Sequence, residues 1–397
     1  MADLPVYLDN HATTRVDPRV VEAMVPYFTQ FYGNAGSVSH AFGWRAQEAV
    51  DQARQRIAAA VNCTPREIIF TSGATESNNL AIRGVAERVR RRGNHVVTVA
   101  TEHKAVLDPI SRLGRRGYEV TILSVESATS TVPGRLDPAN LAAALRDDTL
   151  LASVMLANNE IGTLQPLAEI AAICRARGVL LHCDATQAVG KLPVDVRQLG
   201  VDLLSFSAHK LHGPKGVGAL YVRRGIPLVR LEPQMDGGGQ EFGVRSGTLN
   251  VPGIIGFARA VELSVQEMTE QTARWRQLRE RLYLGMRAAL PDMLLNGPAL
   301  DSPPDRLANN LNCHFPWVDG EALMMGMRDV AVSSGAACTS TNPEPSHVLR
   351  AIGLTVDQAR ASLRFGLGRF TTEWEIDFAI QAVSETVRRL RQLSSLA

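Results

Sequence analysis

The chain has 397 residues, with 42 basic against 40 acidic side chains for a formal charge of +2, and 45% of its residues are hydrophobic. That balance is ordinary for a globular enzyme, shows no sign of an electrostatic nucleic-acid or membrane-surface binder, and leaves enough chain for a large core in two domains. No apolar run is long enough to span a membrane, and the start, MADLPVYLDN, is acidic without a long apolar core, unlike a signal peptide. The five cysteines (Cys63, Cys174, Cys183, Cys313, Cys338) include no CxxC pair, which argues against a local zinc or iron–sulfur site; an odd, scattered set fits a reducing cytosol.

In chain order, Ala46 to Ala60 reads as an amphipathic helix with apolar residues at 46, 49, 50, 53 and 57. Glu67 to Phe70 reads as a strand and Ser77 to Arg91 as a helix, whose cluster Arg88, Arg90, Arg91 and Arg92 reads as a solvated end rather than a phosphate site. Val96 to Ala100, Glu119 to Leu123, Leu151 to Leu156, Val179 to Cys183 and Val201 to Phe206 read as further strands, with helices between several of them, including Leu167 to Arg177. Such alternation predicts an α/β fold with a mainly parallel sheet covered by helices on both faces. After Pro252 comes a long helical region rich in Arg and Glu, then a second mixed unit from about residue 290. The change of pattern puts a domain boundary near residues 250–260.

Several residues along this frame are costly to bury unless they do chemistry. In Ile68-Ile69-Phe70-Thr71-Ser72-Gly73-Ala74-Thr75-Glu76, a strand meets a glycine turn and a helix start. Free N–H groups there suit a phosphate, with Thr75 adding a hydroxyl; a plain helix cap by Ser72 or Thr75 is the alternative. His103 follows a strand, where functional residues of open α/β sheets gather; it is either a ring-stacking or proton-moving group or an ordinary loop histidine. Asp184 closes an apolar strand, and its carboxylate calls for a cation, which a protonated pyridine nitrogen would supply.

Lys210, in Ser207-Ala208-His209-Lys210, ends another buried strand; burial lowers an amine's pKa, and a neutral amine attacks aldehydes. A structural salt bridge is the competing role. The loop Gly237-Gly238-Gly239-Gln240-Glu241, with Arg245-Ser246-Gly247-Thr248, suits a phosphate, a subunit border or a plain surface loop. Cys338 stands among small polar residues in Ser333-Ser334-Gly335-Ala336-Ala337-Cys338-Thr339-Ser340, which favours an exposed, nucleophilic thiol over a packed one. Arg364 interrupts the apolar run Ser362 to Phe370, so it calls for an anion: a substrate carboxylate or a structural partner.

Taken together and in order, Ser-Gly-Ala-Thr-Glu, Thr-Glu-His, Asn158-Asn159-Glu160-Ile161-Gly162, Asp-Ala-Thr-Gln, Ser-Ala-His-Lys, Arg-Ser-Gly-Thr and Ser-Ser-Gly-Ala-Ala-Cys-Thr-Ser resemble the cysteine desulfurases over nearly the whole chain. The opening Tyr7-Leu8-Asp9-Asn10-His11-Ala12-Thr13-Thr14 is similar to that family's start. The resemblance implies a fold-type I, aspartate-aminotransferase-like enzyme using pyridoxal 5'-phosphate (PLP). Residues 15–255 would form the large PLP domain, and 1–14 with 256–397 a smaller α+β domain carrying a cysteine loop near 332–342.

By the same resemblance, Lys210 would hold the cofactor covalently and shuttle protons, Asp184 would pair with the pyridine nitrogen, and Gln187 with the phenolic oxygen. His103 would stack on the ring. Ala74, Thr75, Ser207 and His209 would bind the phosphate, joined by Thr248 from the partner of a homodimer. Asn159, beside the cofactor, and Arg364 would hold the carboxylate of L-cysteine. Cys338 would take the sulfur and pass it to an iron–sulfur scaffold or other acceptor in the cytoplasm, with no resident metal, although Cys338 would be free to ligate a cluster on a partner transiently.

Two departures stand out: Ala208 replaces the more usual glycine, and the chain ends at Ala397, short of the tail that housekeeping members use for scaffold docking, which leans toward a nitrogen-fixation or specialised relative. A selenocysteine lyase or aminotransferase of the same fold, or a silent assembly partner, are the rival readings.

Overall fold

The computed structural model describes residues 4–226, 228–301, 305–334 and 344–394. Seven strands form its main sheet: β1 (Ile68–Thr71), β2 (His95–Val99), β3 (Glu119–Leu123), β4 (Thr149–Ser153), β5 (Leu180–Asp184), β6 (Leu203–Ser207) and β7 (Gly218–Val222). Their order across the sheet is β1-β7-β6-β5-β4-β2-β3. Only β7 runs antiparallel to its neighbours, β1 and β6; the rest pair in parallel. β2, β4 and β6 are buried along their whole length, and β5 in all but Leu180, as a sheet covered on both faces requires, whereas at the edge β3 buries only Leu123.

Helices cover both faces. α1 (Ala41–Ala60) turns Ala46, Ala49, Val50, Ala53 and Ile57 inward, the face its spacing predicts. Val50 and Ile57 are fully buried, each contributing about 1.5–3 kcal/mol. On the other side, α2 (Ala74–Val89) and α3 (Lys104–Gly114) supply Leu80, Ile82, Val85, Val106 and Ile110 to a separate cluster. α4 (Leu167–Ala176) and α5 (Val251–Gln266) pack with α1 in the first cluster.

A second core lies beside this sheet. It joins α6 (Met268–Ala289), α8 (Glu373–Ser394) and a three-stranded antiparallel sheet of order β10-β9-β8, where β8 is Leu294–Leu295, β9 Asn310–His314 and β10 Ser362–Gly366. The short helix α7 (His347–Ala351) precedes β10. Val6 and Leu8, near the amino terminus, are buried in this second core. The expected boundary after residue 255 falls inside α5, whose Phe257, Val261 and Leu263 belong to the first core; we propose the join at Glu267, between α5 and α6.

Candidate active site

The carboxyl ends of β1, β2, β4, β5 and β6 line one edge of the main sheet, where open α/β folds bind ligands. A cleft of about 860 Å³ lies there, and β10 of the smaller unit closes one side of it with Arg364. Ala74, Thr75, His103, Asn159, Asp184, Gln187, Ser207, His209 and Lys210 all line this cleft.

At one end, β1 passes through Ser72 and Gly73 into the first turn of α2. Gly73 has φ +151°, a conformation that side chains rarely adopt. A Cβ on Gly218, the first residue of β7, would sit 2.7 Å from Gly73 Cα, so two glycines let the turn lie against the sheet. Glu76 Oε2 accepts the Ser72 N–H at 2.7 Å, while Arg245 Nε donates to Glu76 Oε1 at 2.7 Å, tying the 237–248 loop to this turn. Ser207 Oγ and the His209 ring complete the cradle. His209 Nδ1 lies 3.2 Å from Thr13 Oγ1, and burial lowers its pKa to about 4, so the ring is neutral near pH 7.

In the middle, Asp184 ends β5 almost fully buried. Its Oδ2 accepts from Asn78 Nδ2 at 2.8 Å, and its Oδ1 from the Thr186 N–H at 2.9 Å. No cation pairs with it among the described residues, which is the donor set a protonated ring nitrogen would complete. His103 caps α3, its Nδ1 accepting the Ala105 N–H at 3.0 Å, which leaves the proton of the neutral ring on Nε2. Burial lowers its pKa. Lys210 Nζ donates to the carbonyls of His11 (2.6 Å) and Ala12 (2.7 Å) and pairs with no carboxylate among the described residues. Burial, reinforced by the nearby Arg364 charge, lowers its pKa to about 8.

At the other end, Arg364 sits buried on β10. Its Nη2 donates to Asp9 Oδ1 at 2.8 Å and its Nη1 to the Asn159 carbonyl at 3.3 Å, while Nε is buried and has no partner among the described residues. Asp9 Oδ1 also accepts from Ser333 Oγ at 2.9 Å. A structural anion partner therefore exists, and guanidinium donors remain free for another. On that side of the cleft, Ser346 Oγ donates to Glu160, and His347 Nε2 donates to the Glu102 carbonyl at 2.8 Å.

Two expected residues stand apart. Thr248 is exposed and does not line this chain's cleft. Cys338 lies outside the described residues. Of the other cysteines, Cys63, Cys174 and Cys313 have thiols pushed up to about 12 by burial, and burial raises Cys183 as well, so none of them is an activated nucleophile.

Sequence reasoning singled out none of Asp9, His11, Asn78, Glu102, Lys191 or His347. Asp9 and His11 lay inside a recognised motif. Asn78 falls one helical turn after the recognised Ala74, and Lys191 four residues after the recognised Gln187. Glu102 was readable only as a neighbour of His103; its Oε1 accepts the Met155 N–H at 2.6 Å, and burial holds its carboxyl well above the usual range.

Comparison with known proteins follows the same line. The aminotransferase class-V family description matches residues 6–378. A cysteine desulfurase IscS of Anaeromyxobacter sp. (strain Fw109-5) is 58% identical over 393 residues, covering 99% of this chain and 95% of that protein. The cysteine desulfurase IscS of Klebsiella pneumoniae subsp. pneumoniae is 53% identical over 395 residues, with the same coverage. Among solved structures, a NifS-like protein superposes with TM-score 0.88 at 37% identity, covering 98% of this chain and all of that one. DndA from Streptomyces lividans superposes with TM-score 0.74 at 42% identity, covering 89% and 97%.

Proposed function

We propose how this cleft divides the labour of catalysis, from the premise that the chain belongs to the aminotransferase class-V family and is a PLP-dependent cysteine desulfurase. Bound PLP supplies an electron sink for the substrate's carbon skeleton. Lys210 carries it, because an amine with a lowered pKa is both nucleophilic and able to return a proton. The buried Asp184 carboxylate, oriented by Asn78 and the Thr186 N–H, receives the ring nitrogen. Gln187 would donate to the phenolic oxygen, and His103, with its proton on Nε2, would hold the ring. Ala74, Thr75, Ser207 and His209 hold the phosphate at the α2 amino terminus.

Arg364 and Asn159 hold the α-carboxylate of L-cysteine. The Cys338 thiolate attacks the substrate sulfur; the Cβ–S bond breaks, the sulfur stays on Cys338 as a persulfide, and the carbon skeleton takes up protons and leaves as L-alanine. The persulfide then passes to an acceptor, an iron–sulfur scaffold or another sulfur carrier. Such a step suits the cytoplasm, and no helix among the described residues is long and apolar enough to cross a membrane. Thr248 reaches the phosphate of a second copy in a homodimer, a reading supported by its exposure outside its own cleft. Val25, Phe28, Tyr32, Phe42 and Trp44, all exposed, give such a second copy an apolar surface to meet.

The observation that carries this reading is the convergence of Lys210, Asp184, His103 and Arg364 on one cleft. Cys338→Ser tests it: the variant retains the visible cofactor band but forms no sulfide with a thiol acceptor. Sulfide production at the wild-type rate would remove Cys338 from the mechanism.

A further inference from the structure

Behind the wall of the cleft lies a buried lysine that none of these roles uses. Lys191 is 6% exposed. Gly190, at φ +76°, turns the chain just before it, and a Cβ there would come within 2.8 Å of Ser264 Cβ. The turn returns the Lys191 side chain to Gln187, four residues back, where Nζ donates to Oε1 at 2.7 Å. Its amine has no carboxylate partner among the described residues, and the charges that act on it, Lys210 and Arg364, are cations. A buried, unpaired amine costs stability, so its retention calls for a role.

Gln187 is held from three directions. Oε1 accepts from Lys191 Nζ and lies 3.0 Å from His11 Nδ1, which must therefore carry a proton; Nε2 donates to the His11 carbonyl at 3.0 Å. Turning the amide over would set its N–H groups against two donors and its oxygen against a carbonyl. In the observed orientation, the second N–H of Nε2 is the one left for the cleft that Gln187 lines.

We propose that Lys191 is a positioning residue that locks the Gln187 amide with its N–H toward the cofactor's phenolic oxygen. The proposal rests on the reading that PLP occupies this cleft with that oxygen at Gln187. A donor at the phenolic oxygen favours its ionised form, so loosening the amide raises the pH at which the visible band of the bound cofactor titrates.

The test is a pH titration of that band in the holoenzyme for wild type, Q187A, K191M and the double variant. Expected are upward shifts of about one pH unit in each single variant, with no further shift in the double, because both changes remove the same hydrogen bond. K191Q, which keeps a shorter donor, returns part of the shift and replaces K191M in the comparison should that variant not fold. A wild-type titration in K191M with a shifted Q187A would overturn the proposal, and so would additive shifts, which would mean that Lys191 acts through its own charge. An unshifted Q187A would overturn the Gln187 reading itself and the proposal with it.

Discussion

Replacing Arg364 perturbs substrate binding at a position where the structure sets the magnitude. The guanidinium has five N–H donors; one meets Asp9, one meets the Asn159 carbonyl, and the buried Nε meets no acceptor among the described residues. A substrate carboxylate engaging two of the remaining donors makes two charge-assisted hydrogen bonds worth about 1.5–3 kcal/mol each. Arg364→Gln should therefore lower kcat/KM for L-cysteine by about 10²–10⁴-fold. Arg364→Lys, which keeps a point charge but loses the fork, should fall between it and wild type.

The assay is initial-rate alanine formation across L-cysteine concentrations, with the cofactor band and thermal midpoint recorded for each variant. The band must persist, since Arg364 contacts none of the cofactor-holding side chains. A kcat/KM within threefold of wild type in a folded, cofactor-loaded R364Q would refute the assignment and leave Arg364 as Asp9's structural partner.

Three other outcomes follow from the same physics. Lys210 at about pH 8 is roughly a quarter neutral at pH 7.5, so reconstitution of apoprotein with PLP should accelerate up to pH ~8–9 and then level off; a rise continuing to pH 10.5 would mean an unperturbed amine. His212 is buried, and its pKa falls to about 4, so the unfolded chain takes up a proton below pH ~6.5 that the folded chain refuses. Folding stability should drop by up to about 3 kcal/mol from this group as pH falls from 6.5 to 4, with His182 adding in the same direction; denaturant midpoints that do not move across that window would contradict it. Finally, Glu241 accepts two bonds from buried Arg54, at 2.6 and 2.8 Å, and the Phe70 N–H at 2.7 Å. Glu241→Gln strands the guanidinium and should cost ~3–5 kcal/mol, lowering the thermal midpoint by roughly 4–6 °C; an unchanged midpoint would refute the pairing.

The central parallel strands were legible because they are buried on both faces and read as largely apolar runs: β5 and β6 lie within two residues of expectation. The edge strand β3 matches Glu119 to Leu123 through its β-branched residues, although it buries only Leu123. β7 was not foreseen. Gly216 and Gly218 are turn signals in the sequence, yet Gly218 opens β7, where it is needed for close approach to Gly73. The catalytic cleft was legible where an ionisable residue ends an apolar strand, as with Asp184, and less so where the signal is a single charge on a strand, as with Arg364. Asp9 and Lys191 escaped because their roles depend on partners 355 and 4 residues away, and only the folded contact reveals which partner a buried charge has. The join proposed at Glu267 was not legible because α5 and α6 read as one helical stretch, although their apolar faces belong to different cores.

The most direct test of the account is the visible absorbance of purified wild type and Lys210→Ala, before and after L-cysteine, with alanine quantified. The account predicts a cofactor band in wild type that shifts on adding L-cysteine and yields alanine, and in Lys210→Ala a cofactor that is not covalently held and yields none. Wild type without a band after PLP addition, or alanine formed at the wild-type rate by Lys210→Ala, would contradict it.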